Sequence, residues 1–196
     1  MKKPAVTLKK MLVVATASEA RRNLITDLGI DPILESVDID ESAIAGEGLH
    51  DYVRRLAISK ASAVIPPSAE SIIVSVDTAI GIENAIVGKP SDETHAIKIL
   101  KELSGKTHEV LSSIALRDVE CNTIDVETTR TKVRFNILSD AMISWYISTG
   151  EWKNRAGAYA IQGKGMSLVE SLDGCLTNVI GISIPSFIRM ISKYTL

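Results

Sequence analysis

The sequence is poor in cysteine and in aromatic residues, and it has no long apolar run. Its 196 residues hold two cysteines, Cys121 and Cys175, and aromatics make up 4%. The cysteines form no CxxC pair, which argues against a zinc ribbon or a dithiol redox site; two free thiols in a cytosolic protein are the expectation. The longest apolar runs, such as Met11 to Ala15, fall far short of the roughly 18 residues that span a bilayer. Pro4 and the Lys9-Lys10 pair interrupt any signal-peptide apolar region. Neither sign of charge dominates. The net charge of −2 provides no global pull toward nucleic acid or an anionic membrane, so an anionic ligand must be held by a local basic cluster. Phosphate-binding signatures are missing too: there is no GxxxxGK[ST] and no GxGxxG after the first strand. His50, His95 and His108 are scattered, without metal-ligand spacing, and read as surface or structural histidines.

What is present fits one soluble domain, with 45% hydrophobic and 23% charged residues. No repeat, low-complexity tract or linker divides the chain. Met11 to Thr16 reads as a short buried strand. Ser18 then caps a helix running to about Leu28, stopped by Gly29. Helical spacing of Leu49, Val53, Leu56, Ala57 and Val64 predicts a helix from about Gly48 to Ile65, ended by Pro66-Pro67. From Ser71 a strand, a turn near Glu83-Asn84 and a return strand to Val87 follow. Ser91 is expected to cap a third helix that closes at Gly105. Two β-prone stretches, Thr107 to Arg117 and Thr123 to Leu138, precede a helix from Ser139-Asp140 to near Gly150. The Gly-rich loop from Arg155 to Gly165 should lead to two short strands, and Pro185 suits the first turn of a last helix. Alternation of strands and helices early, with antiparallel strands in the middle, favours an α/β domain on a mixed sheet.

Several residues in this frame could carry chemistry, and each has a plainer account. Ser18, Arg21 and Arg22 lie where a strand meets a helix N-terminus, a natural anion site; a cap with two solvated arginines is the simpler reading. Asp38, Asp40 and Glu41 form an acidic loop, either solvated or able to hold a hard cation such as Mg²⁺. Lys60 sits within an apolar-patterned helix, as a snorkelling surface lysine would. Asp77 is sharper. It interrupts an apolar strand that resumes at Ala79 and Ile80, and a buried carboxylate needs a partner or a cation. Lys89 stands between Gly88 and Pro90 on a stiffened loop. Gln162 lies in the Gly-rich loop, where an amide could read a nucleobase edge. Together these supply carboxylates, cations and an amide, the set needed to cleave a metal-bound nucleoside triphosphate.

The order of these pieces resembles the Maf family of nucleoside triphosphate pyrophosphatases, related to the inosine triphosphatases. The likeness spans nearly the whole chain from Met11, through "ATASEARRNLI", "DIDES", "RLAISKA", "SVDT", "VGKP", "LKELSGKTHEV", "AGAYAIQGKG" and "NVIGISIP". It implies a mixed sheet flanked by helices, two lobes with a cleft between them, and often a homodimer. It implies hydrolysis of a nucleoside triphosphate to monophosphate and pyrophosphate with Mg²⁺ or Mn²⁺. By position, Asp77 matches the catalytic acid and Glu41 a metal or water-binding residue, so both are candidate metal ligands. Lys60 and Lys89 match triphosphate-binding lysines. Ser18 and Arg21 fall in the opening substrate-binding motif. Thr78 and Gln162 match positions tied to base choice and look like the branch acting on dTTP and UTP.

The departures bear on substrate. Ser18-Glu19-Ala20-Arg21 stands where the family has Ser-Pro-Arg-Arg, and Asn154-Arg155 where it has Asp-Lys. Two other functions stay open at this level: a non-catalytic nucleotide-binding regulator of cell division, and a purine enzyme acting on inosine or xanthosine triphosphate.

Overall fold

A computed structural model describes residues 7–83 and 85–195 of the chain. Strand β1 (Met11–Ala15) is followed by helix α1 (Glu19–Thr26), strand β2 (Ile33–Glu35), helix α2 (Leu49–Ala63), strand β3 (Ser71–Ile82) and strand β4 (Ala85–Val87). Helix α3 (Glu93–Leu103), strands β5 (Thr107–Asp118) and β6 (Thr123–Phe135), helix α4 (Asp140–Ser148), strand β7 (Val169–Asp173) and helices α5 (Leu176–Ile180) and α6 (Ile184–Ile191) complete it. The strands make one mixed sheet in the order β2-β1-β3-β5-β6-β7, with β4 on β3. The β1–β2 and β1–β3 pairings are parallel and the rest antiparallel. The α/β mixed-sheet expectation therefore stands. No helix among the described residues is long and apolar enough to cross a membrane.

Strand periodicity of two divides β3 between two layers. Ile72, Val74 and Val76 pack with Ile25 of α1 and Phe187 and Ile191 of α6. Ile73 faces the other way, onto Ala57 and Ala61 of α2. Those alanines let α2 lie close to the sheet, and the buried Ser75 hydroxyl donates to the Ala57 carbonyl. A further cluster, built on Leu100, Leu103, Phe135 and Tyr146, covers the far end of the sheet with α3 and α4.

Three local expectations need correction. The cap of α3 is Asp92, whose carboxylate accepts the His95 N–H at 2.8 Å; Ser91 donates to Asp92 instead. β6 ends at Phe135, short of Leu138. After the Gly-rich loop there is one strand, β7, and then α5 where a second strand was expected. The Val-Ile-Gly-Ile run suits a strand by propensity, but buried Asn178 donates to Val110 O at 3.0 Å and Thr131 Oγ1 at 3.1 Å, pinning a short helix against β5 and β6. The short edge strand β2 carries no clear period and was not expected. The Glu83-Asn84 turn falls outside the described residues at Asn84, as do residues 1–6 of the N-terminal extension.

Lys10 ties the start of the described chain to the sheet. Its ammonium lies 2.8 Å from both Asp118 Oδ1 and Glu120 Oε2. Burial pushes the Asp118 carboxyl up, but hydrogen bonds from Lys10, the Cys121 N–H and Tyr194, with the Lys10 charge, bring it down from 3.8 to about 2. A depressed folded-state pKa stabilises the fold above the unfolded value, and that stability is lost as pH falls through the folded value. Denaturant titrations should therefore show stability declining between about pH 4 and pH 2, with a flatter decline in Asp118→Asn.

Candidate active site

β1 pairs with β3 only from Met11↔Ser71 to Ala15↔Ser75, and β4 takes up the same edge only at Ile80↔Val87. Val76, Asp77, Thr78 and Ala79 thus have a strand neighbour on one side, β5, and a gap on the other. A cleft of about 770 Å³ opens at this gap. The chain leaves β1 through Thr16, Ala17 and Ser18, which line it. The sheet period sends Asp77 toward α2 and Thr78 toward α1 and α5, and both reach the cleft because the edge between them is open.

On the α2 side, Lys60 lies between two carboxylates. Its Nζ is 2.6 Å from Asp77 Oδ1 and 2.6 Å from Glu41 Oε1. Asp77 is 6% exposed. Burial drives its carboxyl above the ordinary value; Lys60 and Arg21 oppose that rise, and the Glu41 charge adds to it. Burial also pushes Glu41 up, but its hydrogen bond to Lys60 and the charges of Lys60, Lys89 and Arg21 hold it below the usual range. The two acids are thus shifted in opposite directions, Asp77 up and Glu41 down. The Glu41 loop is fastened to α2 by Tyr52, which donates to the Glu41 carbonyl at 3.0 Å, and by Arg55, which donates to Ser42 O at 3.0 Å.

On the other side, Ser18 caps α1, accepting the Arg21 N–H at 3.4 Å. The Arg21 side chain crosses back to the sheet. Its Nε donates to Gly181 O at 2.7 Å and its Nη2 to Thr78 Oγ1 at 2.9 Å. Burial pushes this guanidinium down, while Asp77 and Glu41 favour its charge.

Two loops close the remaining walls. Lys89 follows β4 with its ammonium 3.8 Å from Glu41 Oε2, its side chain 61% exposed. The loop 155–162 lies beside it, joined by the Gly157 N–H to Gly88 O at 3.2 Å. Gly157 has φ 69°, and a Cβ there would meet Ile80 Cδ1 at 2.5 Å, so only glycine fits. Gln162 lines the cleft from this loop. Beyond it, the Glu151 carboxylate accepts the N–H groups of Lys164 at 2.9 Å and Gly165 at 3.2 Å. A Cβ on Gly165 would sit 1.9 Å from Ala160 O, which holds that position to glycine.

All eight residues expected at the site, Ser18, Arg21, Glu41, Lys60, Asp77, Thr78, Lys89 and Gln162, line this one cleft. Asp38 and Asp40 do not; Asp40 accepts the Ser42 N–H at 2.9 Å instead. The histidines stay outside. His108 is buried, its Nε2 2.9 Å from the Tyr159 hydroxyl, and burial lowers it to about 4, so it is neutral. Both cysteines are free. Tyr52, Arg55, Glu151, Gly181 and the basic pair Lys153 and Arg155 at the cleft rim were not singled out for roles at the site from the sequence. Tyr52, Arg55, Glu151 and Gly181 contribute backbone contacts and loop placement, which leave no spacing signal; of the basic pair only the Arg155 departure was visible.

Since Lys60 holds Asp77 down against burial, its loss should move the Asp77 midpoint further up. We expect Lys60→Met to raise the pH at which the Asp77 carboxyl ¹³C resonance titrates, and Glu41→Gln to lower it.

The model for the Maf-like protein family matches residues 11–194. A dTTP/UTP pyrophosphatase of Myxococcus xanthus is 38% identical over 183 residues, covering 93% of this chain and 92% of its own. The protein of the same name from Syntrophomonas wolfei is 37% identical, covering 92% and 95% of the two chains. That from Clostridium botulinum is 37% identical, covering 94% and 97%. Matches of this length and identity place the chain in the Maf-like protein family.

Proposed function

We propose that the cleft hydrolyses a pyrimidine nucleoside triphosphate, dTTP or UTP or a modified form, to the monophosphate and pyrophosphate. The observation that carries this reading is the buried carboxylate of Asp77, raised by burial and held 2.6 Å from Lys60 in a cleft that also contains Arg21 and Lys89. The printed names of the relatives agree with it.

A water oxygen approaching the α-phosphorus meets the negative charge of the triphosphate. Arg21, Lys60 and Lys89 offset that charge in the bound state and more strongly as it builds on the leaving group. Asp77 accepts the water proton. Burial raises its pKa, which makes it a better base than an exposed carboxylate. The oxygen–phosphorus bond forms as the bond from the α-phosphorus to the bridging oxygen breaks, and the electron pair leaves on pyrophosphate. Thr78 and Gln162, in the same cleft, act in choosing the base.

The donor set also fits a divalent ion. Lys60 contacts one oxygen of Asp77 and one of Glu41, leaving the second oxygen of each outside that contact. Mg²⁺ commonly takes one or two carboxylates and completes its shell with phosphates and water. Among the described residues no group of three or more His, Cys, Asp or Glu is placed to hold a metal ion, so the substrate would supply the remaining ligands. Held by Asp77 and Glu41, Mg²⁺ or Mn²⁺ would supply charge neutralisation on the phosphates. Light scattering tests the homodimer that belongs to the same reading.

Pyrophosphate release from dTTP, UTP, CTP and ITP with Mg²⁺ or Mn²⁺ decides the function. We expect turnover of dTTP and UTP above the others, and a loss of about 10²–10⁴ in kcat for Asp77→Asn. Lys89→Ala should lower kcat/KM about tenfold or more, through kcat as well as KM, as loss of a charged contact that strengthens in the transition state does. No turnover of any triphosphate, or an Asp77→Asn protein as active as the parent, would overturn the proposal. The kcat/KM profile should fall on the acid side, because a protonated Asp77 can take no proton from water.

A further inference from the structure

The side of the cleft that holds Arg21 is organised by a residue that does not line it. Ser112 of β5 lies directly opposite Thr78 of β3 in the strand register, and it is 1% exposed. Its hydroxyl oxygen is 2.7 Å from Thr78 Oγ1 and 3.1 Å from the backbone carbonyl of Asn178 in α5. Thr78 Oγ1 also lies 3.1 Å from Gly181 O and accepts from Arg21 Nη2 at 2.9 Å.

Proton counting restricts what this cluster can do. Each hydroxyl has one proton to give. The Ser112 proton has the Asn178 carbonyl to satisfy, so the short contact to Thr78 is filled by the Thr78 proton. If Thr78 instead donates to Gly181 O, its proton is again used within the protein. In either arrangement Thr78 has no proton left for a ligand, while its oxygen supports the guanidinium. In the first arrangement the donors run in one direction from Arg21 to Thr78 to Ser112 to the Asn178 carbonyl, and such a chain strengthens each link. Arg21 is fixed at two points, Gly181 O and Thr78 Oγ1, which leaves Nη1 and the second Nη2 hydrogen to engage an anion.

We propose that Ser112 is a positioning residue: by fixing the Thr78 hydroxyl it holds Arg21 in place for the substrate, so that Thr78 acts on substrate binding through Arg21. The proposal rests on the reading of the cleft as a nucleoside triphosphate site. Without the Ser112 hydroxyl, Thr78 loses the 2.7 Å contact that fixes its side chain, so its oxygen can turn away from Arg21 Nη2 and leave the guanidinium held at Gly181 O alone. An arginine ordered before binding gives up less rotamer freedom when it binds.

A double-mutant cycle with two readouts tests this. The first is calorimetric binding of α,β-methylene-dUTP with Mg²⁺. The second is hydrogen-exchange protection of the Arg21 Nε–H in the ligand-free protein. Ser112→Ala should weaken analogue binding about tenfold, raise KM for dTTP more than it lowers kcat, and remove the Nε–H protection. Thr78→Val should do the same and Thr78→Ser should not. In an Arg21→Ala background, Ser112→Ala should cost less than about twofold, because coupled residues are not additive. A residue that merely anchors α5 would instead give additive losses. Full additivity, or an Nε–H equally protected in Ser112→Ala, overturns the inference. Lost protection in Ser112→Ala, together with no analogue binding by the parent protein, supports the positioning role and sinks the triphosphate reading instead.

Discussion

Between Ser75 and Ile80 strand β3 has a neighbour on one side only, and the site depends on that interruption. β1 stops at Ala15 and β4 begins to pair at Val87. A central strand whose two faces are covered offers no place for a ligand. Opening one edge for four residues lets alternate side chains, Asp77 and Thr78, reach the same cleft from opposite faces. The hydrophobic layers on either side hold β3 straight through the gap: Ile72, Val74 and Val76 on one, Ile73 and Ala79 on the other. The rigidity of the acid is thus a property of the core, and its accessibility a property of the edge.

Electrostatics then separates the two carboxylates. One ammonium serves both, yet burial weighs more on Asp77 and cationic neighbours weigh more on Glu41. Two acids with opposite shifts at one lysine suit one proton acceptor and one persistent anion. In the other half of the cleft the acceptors are neutral: Arg21 donates to a carbonyl and a hydroxyl, and neither is a carboxylate.

The secondary structure was largely legible because its signals are local. Ser18 before α1, Pro66-Pro67 after α2 and Pro185 in α6 act within a turn of where they stand. The misses have separate causes. α5 is five residues of strand-favouring sequence held in a helix by Asn178, whose partners Val110 and Thr131 lie 68 and 47 residues away. The cap of α3 moved by one residue because Asp92 and Ser91 compete, and the carboxylate is the stronger acceptor. Edge strand β2 is too short to carry a period.

From the sequence alone came the identities: an acid inside an apolar strand, a lysine in a helix, a lysine held between glycine and proline, and an amide in a glycine-rich loop. Those features are visible because each breaks a local pattern of burial or backbone freedom. Only the tertiary structure decided that Lys60 joins Asp77 to Glu41, that Arg21 rests on Gly181 and Thr78, and that Ser112 stands behind them. These contacts link residues 17 to 160 positions apart. They arise from strand register and from where neighbouring strands end, and neither quantity is written in any short stretch of the chain.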